Sequence, residues 1–444
     1  MKKIADFPYF EVQFDKKGRV VDQAEADALV EFLAGGAATD LLVLSHGWNN
    51  DISDARDLYS RWLPVIRGQV PKVPGAAARD IAVMAIFWPS KKFADREDIP
   101  GGAAAFGDGG GVSEDDLLEQ LEELKGGFED DADDRALEEA KKLVGSLETS
   151  VEARRRFVEM LRGELLPPAV ARADAESAAE LPGELYEMPG DELLEKLAEE
   201  PEAPIDFEAG GAAAFEGRAA GFGEFFGGIK EGARNFLNLL TGYKMKNRAG
   251  LVGSGGVHDV LGRIRREAPA VRLHLVGHSF GARLLSAAAS GPDGAPPLEV
   301  DSLTLVQGAF SHFSFSDEWD PPKESPGFFR RVVTDPRVRG PMLVTHTKND
   351  LAVGVGYALA FRLAGRDAVA AAIGDENDIF GGLGRNGALK TPEAKARRML
   401  ASGGDYGFGA DRLFNLNSDD FIKGHSKFVV PEVAYAIVAA IAAT

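Results

Sequence analysis

Five residues, Gly277-His278-Ser279-Phe280-Gly281, set a serine hydroxyl between two glycines. They follow a short apolar run from Val271 that suits a buried strand, and they lead into a helix-like segment, Ala282 to Ala289. Gly-x-Ser-x-Gly between strand and helix is the pattern of a nucleophile elbow. With almost no connector, the central residue is forced into a strained backbone conformation, and side chains at Gly277 or Gly281 would collide across the turn. Ser279 then stands at the N-terminus of the next helix, where the dipole and free N–H groups favour negative charge.

A serine hydroxyl is a poor nucleophile at neutral pH. It needs a base to take its proton and an acid to orient that base. In a doubly wound sheet these partners lie on loops at the carboxyl ends of strands, the same edge as the elbow. Of the seven histidines, His274 lies within the elbow strand, His278 within the elbow and His258 on an upstream helix, while His312 and His346 precede the best acid. His46 ends an early strand and is a candidate pocket residue, as is His278. Only His425 follows every candidate acid and sits in the last loop. Asp350, just past a strand ending at Thr347, is the leading acid; Asp301, Asp419 and Asp420 are the alternatives. The oxyanion of a tetrahedral intermediate needs two donors. The Phe280 N–H supplies one, and the Gly47 or Trp48 N–H, in the loop His46-Gly47-Trp48, is placed for the other.

The elements that must position these residues alternate. Apolar runs at Asp40–His46, Ile81–Phe87, Val300–Val306, Pro341–Thr347 and Arg412–Leu416 read as strands. Helical periods at Gln23–Leu33, Asp54–Ile66, Val257–Glu267 and Pro431–Ala443 fall between or after them, and a further helix is expected from Asp350 to about Leu363. Phe10–Phe14 and Arg19–Val21 read as a hairpin. The fold class expected is α/β, a doubly wound, mostly parallel sheet.

Residues 94–240 break this pattern. They hold 37 acidic and 14 basic residues, a net charge of −23 against −20 for the whole chain, which leaves +3 for the remainder. Gly/Ala-rich joints bracket helical stretches expected at Glu114–Glu123, Ala136–Leu165 and Asp191–Glu199. The reading is a large, acidic, mainly helical insertion over 93–241 in a core of 1–92 and 242–444. Phe225, Phe226, Ile229, Phe236, Leu237 and Leu240 fall on one helical face. As a mobile cap, the insertion would bring Phe225 and Phe226 onto an acyl chain. Asp130–Asp134 lacks the central glycine and closing glutamate of a calcium loop, and the chain has no cysteine, so neither a metal nor a cofactor is expected. No apolar run reaches the length of a membrane span, and Met1 to Pro8 lacks a signal-peptide core. With the absence of cysteine this points to the cytoplasm. The charge argues against a nucleic-acid partner.

Leu44-Ser-His-Gly-Trp48, Gly277-His-Ser-Phe-Gly281, Asp350 and His425, in the order nucleophile, acid, histidine, resemble the α/β-hydrolase fold family of serine esterases and lipases. The match covers about residues 1–92 and 242–444. It implies a serine hydrolase that cleaves a small-molecule carboxylic ester through an acyl-enzyme, with Ser279, Asp350 and His425 as the triad. Amides and thioesters use the same machinery. The insertion lies earlier than the family's usual cap. The alternative is an interaction protein, a hydrolase-like core whose acidic insertion docks a partner.

Overall fold

A computed structural model describes residues 2–90, 112–126, 131–165, 183–198, 228–296, 298–318, 325–335, 337–350, 352–353, 376, 381–408 and 413–444. Its contacts divide the chain into two compact units. One comprises Met1–Lys91, Lys246–Asp350 and Gly382–Thr444; the other comprises Lys92–Met245 and Leu351–Gly381.

The first unit is built on a nine-stranded sheet. The strands are β1 (Lys2–Ile4), β2 (Phe7–Gln13), β3 (Asp40–Ser45), β4 (Ile81–Phe87), β5 (Arg272–His278), β6 (Ser302–Val306), β7 (Met342–His346), β8 (Ala394–Arg398) and β9 (Leu413–Asn417). Their order is β1-β2-β4-β3-β5-β6-β7-β9-β8. Only the β1–β2 pair is antiparallel. Every residue of β3 and β4 is buried, as expected of continuous apolar strands covered on both faces. One covering layer contains helices Ile52–Arg67 and Pro431–Ala442, whose Tyr59, Trp62, Ile437 and Ile441 pack with Leu42, Val83 and Phe414 from the sheet. Helices Gln23–Ala34, His258–Glu267 and Phe280–Ser290 pack successively on one another elsewhere on the sheet.

Chain direction across the sheet reverses between β3 and β5, which are parallel neighbours in register from Asp40↔Arg272 to Ser45↔Gly277. Such a switch point opens a crevice beyond the carboxyl ends of the two strands. The loops that leave there carry Gly47 and Ser279.

Three local expectations are corrected. The strand-paired hairpin is β1–β2, and the one expected over Phe10–Val21 is reduced to a turn closed by the single antiparallel bridge Phe14↔Val20, with the Asp15 amide on the Arg19 carbonyl and the Val21 amide on the Gln13 carbonyl. The helix expected over Ala136–Leu165 is two, Asp131–Val144 and Val151–Leu165, separated around Gly145 and Ser146. Between the last two apolar strands sits an edge strand, β8, that carries Lys395, Arg397 and Arg398 and has no apolar alternation to announce it.

The second unit has a core of its own: Leu117, Leu121, Leu137, Phe157, Leu161, Leu193 and Leu197 pack with Phe236, Leu237 and Leu240. The apolar face expected to meet a substrate is therefore, at Phe236, Leu237 and Leu240, filled by the unit's own leucines. Burial of that much side chain is sufficient reason for the pattern without a ligand. Phe225 and Phe226 lie outside the described residues, as does most of the helix expected after Asp350. Among the described residues, no helix is long and apolar enough to cross a membrane, and no group of three or more acidic or histidine side chains is arranged to hold a metal ion.

Candidate active site

Strand β5 runs without a loop into helix Phe280–Ser290, and Ser279 at the junction takes φ 58° and ψ −124°. Such a conformation costs on the order of 1–3 kcal/mol for a residue with a side chain. It is held from three sides. The Ser279 N–H donates to the Val306 carbonyl of β6 at 3.0 Å, and the Ser279 carbonyl accepts from the Ala282 and Ala309 amides at 3.0 and 3.3 Å. A Cβ on Gly277 would lie 2.3 Å from the Gly281 carbonyl oxygen, and one on Gly281 would lie 2.4 Å from the carbonyl oxygens of both Ser45 and His46. Helix and strand thus approach each other as closely as backbone allows.

The Ser279 Oγ lies 2.8 Å from His425 Nε2, and His425 Nδ1 lies 2.8 Å from Asp350 Oδ2. A carboxylate only accepts, so Nδ1 carries the hydrogen of that bond and Nε2 is left to accept from the serine hydroxyl. Asp350 is fully buried, and its Oδ2 also accepts from Gln307 Nε2 at 2.9 Å. Gln307, directly after β6 and at φ 47°, donates further to the Gly384 carbonyl at 2.8 Å and accepts from Thr345 Oγ1 at 2.9 Å. The loops of Asp350 and His425 are tied together. Asn349 Nδ2 donates to the carbonyls of Asp419 and Ile422 at 3.1 and 2.8 Å. Asp419 Oδ1 accepts from Thr347 Oγ1 at 2.8 Å and from the Lys348 amide at 2.9 Å. Partial burial pushes the Asp419 carboxyl up, but these bonds and that from Asn417 outweigh it and hold the carboxyl below its ordinary range. Asp419 is thus a brace between the loops, Asp420 is exposed beside Arg398, and Asp301 accepts from Arg265 and from the Leu273 amide at the start of β5.

The loop after β3 lies against the elbow. A Cβ at Gly47 would sit 2.7 Å from the Ser279 Cβ, so only glycine leaves the approach open. The Gly47 carbonyl accepts from His46 Nδ1–H at 2.9 Å and from Asn50 Nδ2 at 3.3 Å. A trans peptide points its N–H opposite to its C=O, so the Trp48 N–H faces away from His46 and Asn50. The Trp48 ring stacks on Phe280, centroids 5.8 Å apart. The Phe280 amide is the first of its helix and has no partner within it. His46 is buried, and both its ring nitrogens serve main chain, Nε2 accepting from the Trp88 amide at 3.3 Å. Burial drives its pKa from the ordinary 6.5 down to about 4, against a smaller opposing effect of the Gly47 carbonyl. Tyr59, from helix Ile52–Arg67, accepts from the His46 amide at 2.9 Å and donates to the Ile86 carbonyl at 2.7 Å, which anchors this loop to β4.

His278 precedes Ser279 and is also buried. Its Nε2–H donates to the His425 carbonyl at 3.0 Å, and its ring stacks on Phe428 at 3.9 Å. Phe428 meets Trp62 edge-on at 4.9 Å.

A second Ser–His–Asp array stands at the opposite ends of the strands. His274 Nδ1 lies 2.9 Å from Ser302 Oγ, and His274 Nε2 lies 2.9 Å from Asp40 Oδ1. Asp40 and His274 are wholly buried, Arg79 reaches the same carboxylate at 3.1 Å, and Ser302, the first residue of β6, is buried and pairs with His274 of β5. This array fastens β3, β5 and β6 together and offers a substrate no approach.

Ser279, His425, Asp350, Gly47, Trp48, Phe280, His46 and His278 thus gather at one switch point. Sequence reasoning missed Gln307, Asn349, Asp419 as a brace, Tyr59 and Phe428. A polar residue directly after a strand at the elbow's edge, as Gln307 is after β6, was the one available signal. Set against protein-family models, curated proteins and solved structures, the chain matches none.

Proposed function

We propose that this protein is a serine hydrolase on an α/β-hydrolase fold, with a carboxylic ester as substrate. The observation that carries the reading is the continuous line Ser279 Oγ–His425 Nε2, His425 Nδ1–Asp350 Oδ2, with both contacts at 2.8 Å, ending on a serine whose backbone sits at φ 58° between strand and helix. In the mechanism that follows, Ser279 Oγ attacks the ester carbonyl carbon as His425 Nε2 takes its proton. Asp350 stabilises the imidazolium and keeps its orientation. The carbonyl oxygen becomes an oxyanion that accepts from the Phe280 and Trp48 amides. Collapse breaks the carbon–oxygen bond to the leaving alcohol, which receives the proton from His425. Water then attacks the acyl-enzyme, with His425 as base and then acid, and releases the carboxylic acid and free Ser279. Water is the only co-reactant. Amides and thioesters would pass through the same steps. A chain without cysteine suits a reducing compartment, and the proposal extends to a cytoplasmic enzyme.

A fluorophosphonate probe tests the reading, because only an activated serine reacts. The wild-type protein should label on Ser279, and Ser279→Ala should not label. An unlabelled, folded wild type would overturn it.

A further inference from the structure

We infer that His278 is a positioning residue that clamps the His425 loop to the elbow through its Nε2–H, an inference that rests on the hydrolase reading for its kinetic consequence. Three parts of the site meet at this ring. It is joined covalently to Ser279. Its Nε2–H holds the His425 carbonyl at 3.0 Å. Its Nδ1 would lie 3.2 Å from a Cβ at Gly47, so it also flanks the loop after β3.

Asp350 fixes the far side of the His425 ring, but a ring turns with the backbone that carries it. The last loop runs from Ser418 to Val430, and Asn349 holds only its first part, at Asp419 and Ile422. Beyond Gly424, the His425 ring reaches Ser279 Oγ itself, and the backbone that carries the ring is tied to the elbow by the His278 donor and by the stack of His278 on Phe428. A carbonyl only accepts, so His278 keeps its hydrogen on Nε2. Burial, and next the nearby His425, push its pKa well below the usual histidine range, which keeps the ring neutral. The two ring centroids are 4.8 Å apart, so a charged His278 would oppose the imidazolium that forms on His425 during turnover.

The donor and the ring can be separated. His278→Phe keeps an aromatic face on Phe428 and removes the N–H, whereas His278→Gln carries an amide N–H to about the same reach and removes the ring. On nitrophenyl acetate, His278→Phe should lose about tenfold in kcat with KM within about twofold, the effect of one hydrogen bond that orients the base. His278→Gln should recover most of that loss, and labelling by the fluorophosphonate should slow in parallel with kcat. A second readout needs no turnover. The His425 Nδ1–H bonded to Asp350 should give a downfield proton resonance that is sharp in wild type and His278→Gln and broadened by exchange in His278→Phe. If His278→Phe keeps wild-type kcat and a sharp resonance, or if both variants are impaired alike, the clamp is overturned. If the wild type neither labels nor turns over, the hydrolase reading fails on its own, and the resonance still decides the clamp.

Discussion

Ser279 occupies a backbone conformation that its own neighbours in sequence would not choose, and what holds it there also aims its hydroxyl. If the proposed chemistry operates, Ser279→Ala and His425→Ala should each lose roughly 10³-fold or more in kcat while the fold persists, because neither side chain builds the core. Asp350→Asn should lose less than the serine variant, since the amide can occupy the same place beside Gln307 but no longer favours Nδ1–H. Steady-state kinetics on a nitrophenyl ester, with circular dichroism as the fold control, measure both. Full activity in folded His425→Ala would remove His425 from the mechanism. At Gly47, a valine Cβ would start 2.7 Å from the Ser279 Cβ. Gly47→Val should therefore displace the loop and lower kcat by about 10²-fold, comparable to the loss of one oxyanion donor. The residues now found within 2.8 Å of one another could be read in advance because chain order and strand ends restrict the candidates: one serine at an elbow, one histidine after every acid. Gln307 could not. Its role depends on which strand lies beside β7 and on a positive φ, and neither is written in one segment.

The elements that carry the site meet more tightly than packing of side chains alone would require. Helix Phe280–Ser290 begins against the last carbonyls of β3, where a methyl group on Gly281 would lie 2.4 Å from two oxygens. Gly281→Ala should cost about 1–3 kcal/mol of stability as the helix is pushed off the strand. A lower urea midpoint at unchanged slope would register it; an unchanged midpoint would mean that the helix start yields freely. Long apolar runs such as Asp40–Ser45 and Ile81–Phe87 announced themselves as buried strands, and their ends fall within a residue or so of the reading. β8 did not, because Ala394–Arg398 is an exposed edge strand whose charges suit an edge and mimic a loop. The break after Val144 escaped too, since a single glycine inside a helical period is a weak stop.

Across the whole molecule, the buried histidines set how stability responds to acid. His46 has a folded pKa of about 4 against an ordinary 6.5, so between those values the unfolded chain binds more protons than the folded one. Its contribution is complete above about pH 6.5 and is lost as the pH falls towards 4, a change on the order of 3 kcal/mol. His278 and His346 are shifted in the same direction, chiefly by burial, and steepen the loss. Asp40 and Asp419 are held low and are lost only at more acid pH, as it falls from the ordinary carboxylate range through their folded values. Urea midpoints taken from pH 7.5 down to 5 should decline, and His46→Gln should flatten part of the slope. A midpoint constant over that range would contradict the burial of neutral histidines.

The strain at Ser279 also has a meaning in time. Its φ of 58° is secured by Val306, by Ala309 and by the close fit of Gly281 on Ser45 and His46, partners from the ends of β6 and β3 and the loops that leave them rather than from the elbow segment. The hydrogen bonds of helix Phe280–Ser290 close within its own segment, whereas the φ of Ser279 depends on neighbours at and beyond the ends of β3 and β6 being docked beside β5. On the hydrolase reading, a competent nucleophile is then expected only once the sheet has closed. During refolding from urea, helical circular dichroism should return first and fluorophosphonate reactivity should follow on the slower phase in which the sheet closes. Coincident recovery of the two signals would show that the elbow forms with the helix.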